Sequence, residues 1–239
     1  MNHIINILYC LYCGANFYLI YKYLSNLISG KKIFKKNINV KNAFENRINS
    51  LKENNTFIGL EKQNINYNIP FIYEILNEMN FLEKKFRGLI IGCFEGHSTI
   101  FFLMHSKNSV FDCVDNWNQE ILKEYSSNAE GYFNQNINVF KDRVKKHKKE
   151  SNLFFENNKC IYDFIYLDGA HSNVEKDCIN SYKYLNKNGL LIINSVFWRK
   201  KWSSKDNNLR GILKFLKKID GYKIIRLTRN TLFLKKIGL

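Results

Sequence analysis

Three side chains that could take part in chemistry follow predicted strands. Asp115 ends the apolar segment 110–115, and Asp168 ends the apolar segment 161–168. His171 lies three residues beyond Asp168. A carboxylate at the end of a second strand can accept hydrogen bonds from a ribose diol, and a histidine that titrates near neutral pH can act as a general base. His171 could equally do no more than order a turn.

A glycine loop follows the first predicted strand. Gly92 and Gly96 come after the apolar run 89–91, and Ser98 opens an apolar segment that predicts a helix. Glycines let a backbone approach a ligand closely, and a helix N-terminus offers free N–H groups. The spacing is G-x-x-x-G rather than the G-x-G-x-x-G of dinucleotide sites, and His97 stands where a P-loop has lysine. Both nucleotide-binding motifs are therefore disfavoured.

The elements that must position these residues predict an α/β fold. Short apolar runs with polar residues at their ends are typical of buried parallel strands, and lysines protect an edge strand from pairing. The predicted buried strands are 89–91, 110–115, 161–168 and 190–194, with an edge strand at 144–149 and a closing hairpin at 222–227 and 231–235. The predicted helices include 71–84, 98–104, 173–185 and 209–219.

Four segments together resemble a known family. They are GLIIGCFEGHSTIFFL, CVDNW, YDFIYLDGAHSNVEKD and YLNKNGLLIINSVFW. In this order they are similar to the class I S-adenosylmethionine-dependent methyltransferases, and most of all to the small bacterial and viral branch with E-I-G-x-x-E-G-x-S-T and I-D-G-x-H motifs. The resemblance runs from about Asn68 to the C-terminus. It implies a Rossmann-like sheet of seven strands, the last antiparallel, with helices on both faces; the length of the chain before it predicts an N-terminal helical extension.

The resemblance also implies a cofactor and a reaction. S-adenosylmethionine would donate a methyl group to an oxygen or nitrogen of a small-molecule or glycan acceptor. Catalysis would depend on His171 and Asp168, and the aromatic and basic segment 197–202 could line the acceptor entrance. Ser151 could instead act only as a helix cap. The cofactor-binding residues implied are Gly92, Cys93, Phe94, Glu95, Gly96, Ser98, Asp115, Asn116, Trp117, Glu150, Ser151 and Asp168.

Three positions depart from the family pattern. Ile90 replaces an acid two residues before the first glycine, and Asn194-Ser195 replaces an acid pair after the fifth strand. One carboxylate, one amide and one hydroxyl make a poor site for Mg²⁺, which prefers several carboxylates with water. We therefore expect transfer without a metal ion. The same departures motivate an alternative, a membrane-associated binding protein that kept the fold and lost most or all turnover.

Charge and composition suggest three regions and a partner. The net charge is +16, and residues 1–36 hold five lysines and no acid. We expect an apolar helix with a basic segment at 1–36, a linker with a helical lead-in at 37–67, and the methyltransferase domain at 68–239. The basic ends could meet an anionic lipid surface or a phosphorylated glycan, or reflect only an AT-rich genome. A nucleic-acid partner is not expected.

The apolar segment 4–28 leaves three interpretations open. It could cross a membrane, lie on an anionic membrane surface, or pack on the protein. Lysines follow it and none precedes it, which would keep the catalytic domain cytoplasmic. The six cysteines form no metal-binding pattern and are expected to be thiols in a reducing compartment.

Overall fold

The computed structural model describes residues 2–60, 65–169, 173–197 and 207–238. Seven strands form one sheet in the order β3-β2-β1-β4-β5-β7-β6. The strands are β1 Arg87–Ile91, β2 Val110–Asp115, β3 Val144–Lys148, β4 Tyr162–Leu167, β5 Leu185–Ile193, β6 Tyr222–Leu227 and β7 Leu232–Lys236. The helices are α1 Asn2–Tyr12, α2 Phe17–Glu53, α3 Ile69–Glu78, α4 His97–His105, α5 Gln119–Leu122, α6 Ala129–Ile137, α7 Ser151–Asn157, α8 Val174–Lys183 and α9 Asn208–Lys218, with a 3₁₀ helix at Asn138–Arg143.

The chain divides into two compact units. The first contains Met1–Lys31 and Phe155–Leu239, and the second contains Lys32–Phe154. The second unit carries β1, β2 and β3, which are mutually parallel. Leu89, Ile90 and Ile91 are buried in β1 because both faces of a parallel strand are covered. The lysine-rich segment predicted at an edge is β3, which stands at one end of the strand order.

Helix α4 begins directly after the glycine loop and packs against α2 within the second unit. The buried ring of Phe44 in α2 meets Phe101 of α4 edge-on, with ring centroids 5.3 Å apart. The guanidinium of Arg143 donates to the carbonyl oxygens of Leu103 and Ser106 at 2.8 and 3.2 Å. These donors satisfy carbonyl groups at the C-terminal end of α4, which have no partner within the helix. The loop before α4 is therefore attached to a fixed helix.

The first unit carries the other four strands. β4 and β5 are parallel, β5 and β7 are antiparallel, and β6 pairs with β7 as a hairpin. This confirms the predicted seven-stranded sheet with an antiparallel last strand. β5 begins at Leu185, five residues before the predicted start of this strand at residue 190. Residues 186–189 lie inside β5 as an irregularity, because its pairing with β4 passes from Tyr162–Leu185 to Phe164–Leu190.

The N-terminal apolar segment forms two helices rather than one. α1 ends at Tyr12, Gly14 adopts a left-handed φ of 80°, and α2 begins at Phe17. The side chain of Asn16 accepts a hydrogen bond from the N–H of Leu19 at 3.0 Å and so caps α2. α2 continues to Glu53, so the expected boundary after residue 36 falls inside this helix. No described helix has both the length and the apolar character needed to cross a bilayer.

Candidate functional site

The glycine loop connects β1 to α4 through three left-handed residues. Gly92, Phe94 and Gly96 have φ values of 82°, 48° and 95°. Gly96 precedes the first residue of α4, and a Cβ atom there would lie 3.2 Å from the ring of Phe133. Glycine is therefore favoured at Gly96 both by its backbone conformation and by the space available.

Asp115, at the end of β2, holds this loop through its carboxylate. Its Oδ2 accepts hydrogen bonds from the N–H groups of Cys93 at 2.8 Å and Phe94 at 2.9 Å, and its Oδ1 accepts from Trp117 at 2.9 Å. Burial raises the pKa of the Asp115 carboxyl, while these N–H donors act in the opposite direction. A carboxylate has about four lone-pair positions, so a cofactor hydroxyl would share oxygens that already shape the loop.

Trp117 secures the loop from its other side. Its indole Nε1 donates to the carbonyl oxygen of Phe94 at 2.8 Å. Its buried ring lies 4.9 Å from the ring of Phe133, centroid to centroid, and the ammonium of Lys146 stands 4.6 Å from its centroid. Phe94 is thus held at its N–H by a carboxylate and at its carbonyl by an indole.

Glu95 connects the loop to the segment that follows α2. Its Oε2 accepts a hydrogen bond from the N–H of Leu60 at 2.6 Å. The fully buried amide of Asn136 donates to the carbonyl oxygens of Glu95 and Ile58 and accepts from the N–H of Ile58. Sequence reasoning missed Asn136, although a polar residue between Phe133 and Ile137 in a helix was a usable signal.

The N-terminus of α4 follows the glycine loop directly. The first N–H groups of a helix have no partner within it, and Gly96 has no side chain with which to cap them. Ser98 lies in this first turn and is buried. N–H groups in this arrangement suit a carboxylate or phosphate.

His97, also in the first turn of α4, is held neutral. Its ring is buried, stands 5.2 Å from the ring of Phe44, and has no hydrogen-bond partner on either nitrogen among the described residues. Burial lowers the pKa of His97 to about 4, and the nearby positive charge of Lys52 acts in the same direction. The imidazole is therefore a neutral, apolar-facing group at neutral pH.

A second cluster surrounds Asp168 in the first unit. The Nδ2 of Asn194 donates to Asp168 Oδ2, and the hydroxyl of Ser195 donates to Oδ1, both at 3.0 Å. The buried hydroxyl of Thr231 donates to Asn194 Oδ1 at 2.7 Å. The Asn194 oxygen is therefore turned towards Thr231 and its N–H₂ towards the carboxylate. Burial raises the pKa of Asp168, although the Asn194, Ser195 and Tyr166 donors act against it.

This cluster does not fit a divalent metal ion. Asp168 contributes one carboxylate, and both of its oxygens already accept hydrogen bonds from neutral groups. In the part of the chain that the structure describes, no three His, Cys, Asp or Glu side chains form a group that could hold a metal. A cavity of about 20 Å³, lined in part by Asp168, Asp177, Asn194 and Asn208, has room for about one water molecule.

The structure brings together most of the residues that the sequence singled out in the second unit. Gly92, Cys93, Phe94, Gly96, Asp115 and Trp117 form the hydrogen-bonded loop described above. The amide of Asn116 donates to Glu150 at 2.6 Å, and Ser151 is the first residue of α7. His171 and residues 198–202 lie outside the described residues, so their predicted roles stay predictions.

Comparison with known proteins gives a family match and several fold matches. Residues 89–196 match a family model described as a methyltransferase domain. No protein of curated function matches the chain. An O-methyltransferase from Bacillus cereus, solved with SAH, aligns over 92% of this chain and 100% of its own, with 12% identity and a TM-score of 0.56.

Two further solved structures share the fold. The O-methyltransferase TomG of Streptomyces achromogenes, involved in tomaymycin synthesis and solved with SAM, aligns over 82% of this chain and 90% of its own, with 9% identity and a TM-score of 0.57. The methyltransferase MycE of the mycinamycin pathway, solved with Mg, SAH and mycinamycin VI, aligns over 70% of this chain and 49% of its own, with 15% identity and a TM-score of 0.51. At such identities the likeness concerns the fold.

Proposed function

From the match of residues 89–196 to a methyltransferase domain and from the fold matches, we propose that the chain is a class I S-adenosylmethionine-dependent methyltransferase that methylates an oxygen or nitrogen of a small-molecule or glycan acceptor without a divalent metal ion. The observation that carries the metal-free part is the Asp168 cluster. Its carboxylate is bonded to the amide of Asn194 and the hydroxyl of Ser195 at 3.0 Å. Both are donors, whereas a metal ligand set must direct oxygen lone pairs to one point.

The glycine loop and α4 are the proposed cofactor-binding elements. S-adenosylmethionine would supply a methyl group on a positively charged sulfonium sulfur. The acceptor would take the methyl group, and the sulfur would remain as the neutral thioether of S-adenosylhomocysteine. The α4 N-terminus and Ser98 offer N–H and hydroxyl donors to its carboxylate. Asp115 offers carboxylate oxygens to its ribose hydroxyls. Gly92 and Gly96 keep side chains away from the loop, and Glu95, Asn116, Trp117, Glu150 and Ser151 complete the proposed set.

Asp168 and His171 are the proposed proton acceptors. A hydroxyl acceptor must lose its proton as the new bond to carbon forms, so a base close to it helps. Burial raises the pKa of Asp168, which makes its carboxylate a better proton acceptor than an exposed one. His171 follows within three residues. Most of the rate enhancement would come from alignment, with the reacting atoms about 3–3.5 Å apart and in line.

The fold matches favour an oxygen acceptor. The Bacillus cereus and TomG proteins are described as O-methyltransferases, and MycE was solved with the small molecule mycinamycin VI. These acceptors belong to those proteins and support only the class of acceptor proposed here. The prediction that residues 4–28 meet an anionic membrane surface is separate from the proposed acceptor and stays a prediction.

The test measures S-adenosylhomocysteine formation against a panel of phenols, sugars and amines, in EDTA and with Mg²⁺ or Mn²⁺. We expect turnover with a hydroxyl-bearing acceptor, equal in EDTA and in metal, and absent in Gly96→Val. Loss in EDTA that either ion restores would refute the metal-free proposal.

The alternative function predicts a different result in the same test. A binding protein that kept the fold would bind S-adenosylmethionine but form no product with any acceptor. Ile90 is the position that favours this alternative, because the family has an acid there and this chain has a buried apolar residue.

A further inference from the structure

The inner faces of α1 and of the first part of α2 pack and hydrogen-bond within the first unit. The hydroxyl of Tyr23 in α2 is bonded to Asn6 Nδ2 at 2.8 Å and lies 3.0 Å from His3 Nδ1 in α1. The Tyr23 ring meets Phe197 edge-on at 5.9 Å, centroid to centroid. Arg226 of β6 donates to the side-chain oxygen of Asn26 at 2.9 Å. One face of each helix is therefore fixed to the protein.

The outer faces of the same two helices are apolar, where a surface helix usually carries polar residues. In α2, Phe17 and Ile28 are 88% and 83% exposed, and Tyr21 and Leu24 between them are also exposed. Spacings of four, three and four residues place all four on one face, within about 60° of arc at 3.6 residues per turn. In α1 the exposed large apolar residues are Ile4, Ile5, Leu8, Leu11 and Tyr12.

The exposed stripe of α2 continues as lysine. Lys31 and Lys35 follow Ile28 at spacings of three and four residues, so they lie on the face already occupied by Phe17 and Leu24. Both lysines are exposed. No Asp or Glu occurs in residues 1–36. One helix face therefore changes from apolar to cationic along its length.

We propose that this exposed face of α2, at residues 17–35, docks flat on an anionic membrane surface. Exposed apolar side chains can enter the headgroup region of a bilayer, and lysines on the same face attract anionic lipids. A second copy fits less well: a parallel pairing along the stripe would place Lys31 and Lys35 opposite their own equivalents, where like charges repel, and an antiparallel pairing would cover the apolar residues of one copy with the lysines of the other.

Docking would bring one end of β5 close to lipid. Tyr23 contacts Phe197, which lies two residues beyond Ser195 of the Asp168 cluster. If the proposed function holds, an acceptor carried in or on the membrane would be presented to this edge. The docking itself does not depend on methyl transfer.

The test is co-sedimentation of the full chain with vesicles of phosphatidylcholine alone or with phosphatidylserine. We expect binding to the anionic vesicles, weaker binding to the neutral ones, and release by high salt. The double variant Phe17→Ser/Ile28→Ser should lose at least about tenfold in partitioning, since two large apolar side chains leave the contact. Lys31→Glu/Lys35→Glu should remove the preference for anionic lipid.

A matched control is the double variant Val139→Ser/Leu153→Ser. These residues are 57% and 52% exposed, lie outside the docking face, and should leave partitioning unchanged. The proposal is overturned if the wild type does not sediment with anionic vesicles, or if the Phe17→Ser/Ile28→Ser variant binds as the wild type does. It is also overturned if the wild type binds no lipid and light scattering shows that it is a dimer, which the Phe17→Ser/Ile28→Ser variant disrupts and the control variant does not. S-adenosylmethionine binding, measured in parallel, distinguishes failure of docking from failure of the methyltransferase assignment.

Discussion

Lowering the pH should destabilise the folded protein through His97, at the start of the helix that follows the glycine loop. The neutral ring is buried against Phe44, and burial lowers its pKa from 6.5 to about 4. In the unfolded chain the ring takes up a proton near pH 6.5, whereas the folded chain resists this until about pH 4. Stability from this group is therefore complete above about pH 6.5 and is lost as the pH falls towards 4.

The magnitude follows from the same pKa difference. A pKa lowered from 6.5 to about 4 corresponds to about 3 kcal/mol at roughly 1.4 kcal/mol per unit. About 2 kcal/mol of this should already be lost near pH 5. The assay is urea unfolding across this pH range for the wild type and for His97→Leu, which cannot be protonated there.

The difference between the two proteins isolates His97 from other groups. The pKa of His105 is also lowered by burial, but His105 is present in both proteins, so its contribution cancels. Between about pH 8 and about pH 4, the free energy of unfolding of the wild type should therefore fall by about 3 kcal/mol more than that of the variant. A free-energy difference that stays constant over the whole range would refute the buried neutral state of His97.

Three further outcomes are expected. Asp115→Ala removes the acceptor of two loop N–H groups and of the Trp117 N–H, so we expect about 1.5–3 kcal/mol weaker S-adenosylmethionine binding and a lower urea midpoint; unchanged affinity in a folded variant would remove the assignment. Gly96→Val introduces a Cβ 3.2 Å from Phe133 at a left-handed φ, so binding should be abolished while circular dichroism stays near that of the wild type; normal binding would show that the loop does not hold the cofactor. Asn194→Asp places a second carboxylate beside Asp168, so calorimetry should detect Mg²⁺ binding to the variant and none to the wild type; wild-type Mg²⁺ binding would contradict the metal-free proposal.

Local patterns were sufficient to predict the sheet. A strand covered on both faces is apolar throughout, and a strand covered on one face alternates between apolar and polar residues. Strands β2 and β6 accordingly have the predicted bounds, 110–115 and 222–227. The class I methyltransferase fold was predicted from four motifs together; the strand order and the fold matches confirm that fold, and residues 89–196 match a methyltransferase domain model. The site roles of individual residues stay predictions.

The contacts that shape the site were not predictable in the same way. Glu95 is bonded to the N–H of Leu60, 35 residues away, and Asn136 to Ile58, 78 residues away. No local periodicity encodes such pairs. The second role of Asp115, as acceptor for the loop N–H groups, depends on the path of the loop after Gly92 and was missed for the same reason.

The N-terminal helices show a different limit of prediction from local sequence. The break between α1 and α2 had a local signal, since Gly14 can take a left-handed φ and Asn16 is a good helix cap. The continuation of α2 to Glu53 had a weaker signal: a helical lead-in was expected within 37–67, but residues 37–53 are rich in asparagine and were read as part of a linker. Packing compensates for this weak helix propensity: the amide of Asn37 donates to Glu74 at 2.8 Å and to the carbonyl of Pro70 at 3.2 Å.

The most direct test of the central claim is calorimetric titration of the full chain with S-adenosylmethionine in the presence of EDTA. We expect saturable binding at one site per chain, unchanged by added Mg²⁺ and absent in Gly96→Val, whose added Cβ meets the ring of Phe133. A folded wild-type protein that binds neither S-adenosylmethionine nor S-adenosylhomocysteine would contradict it.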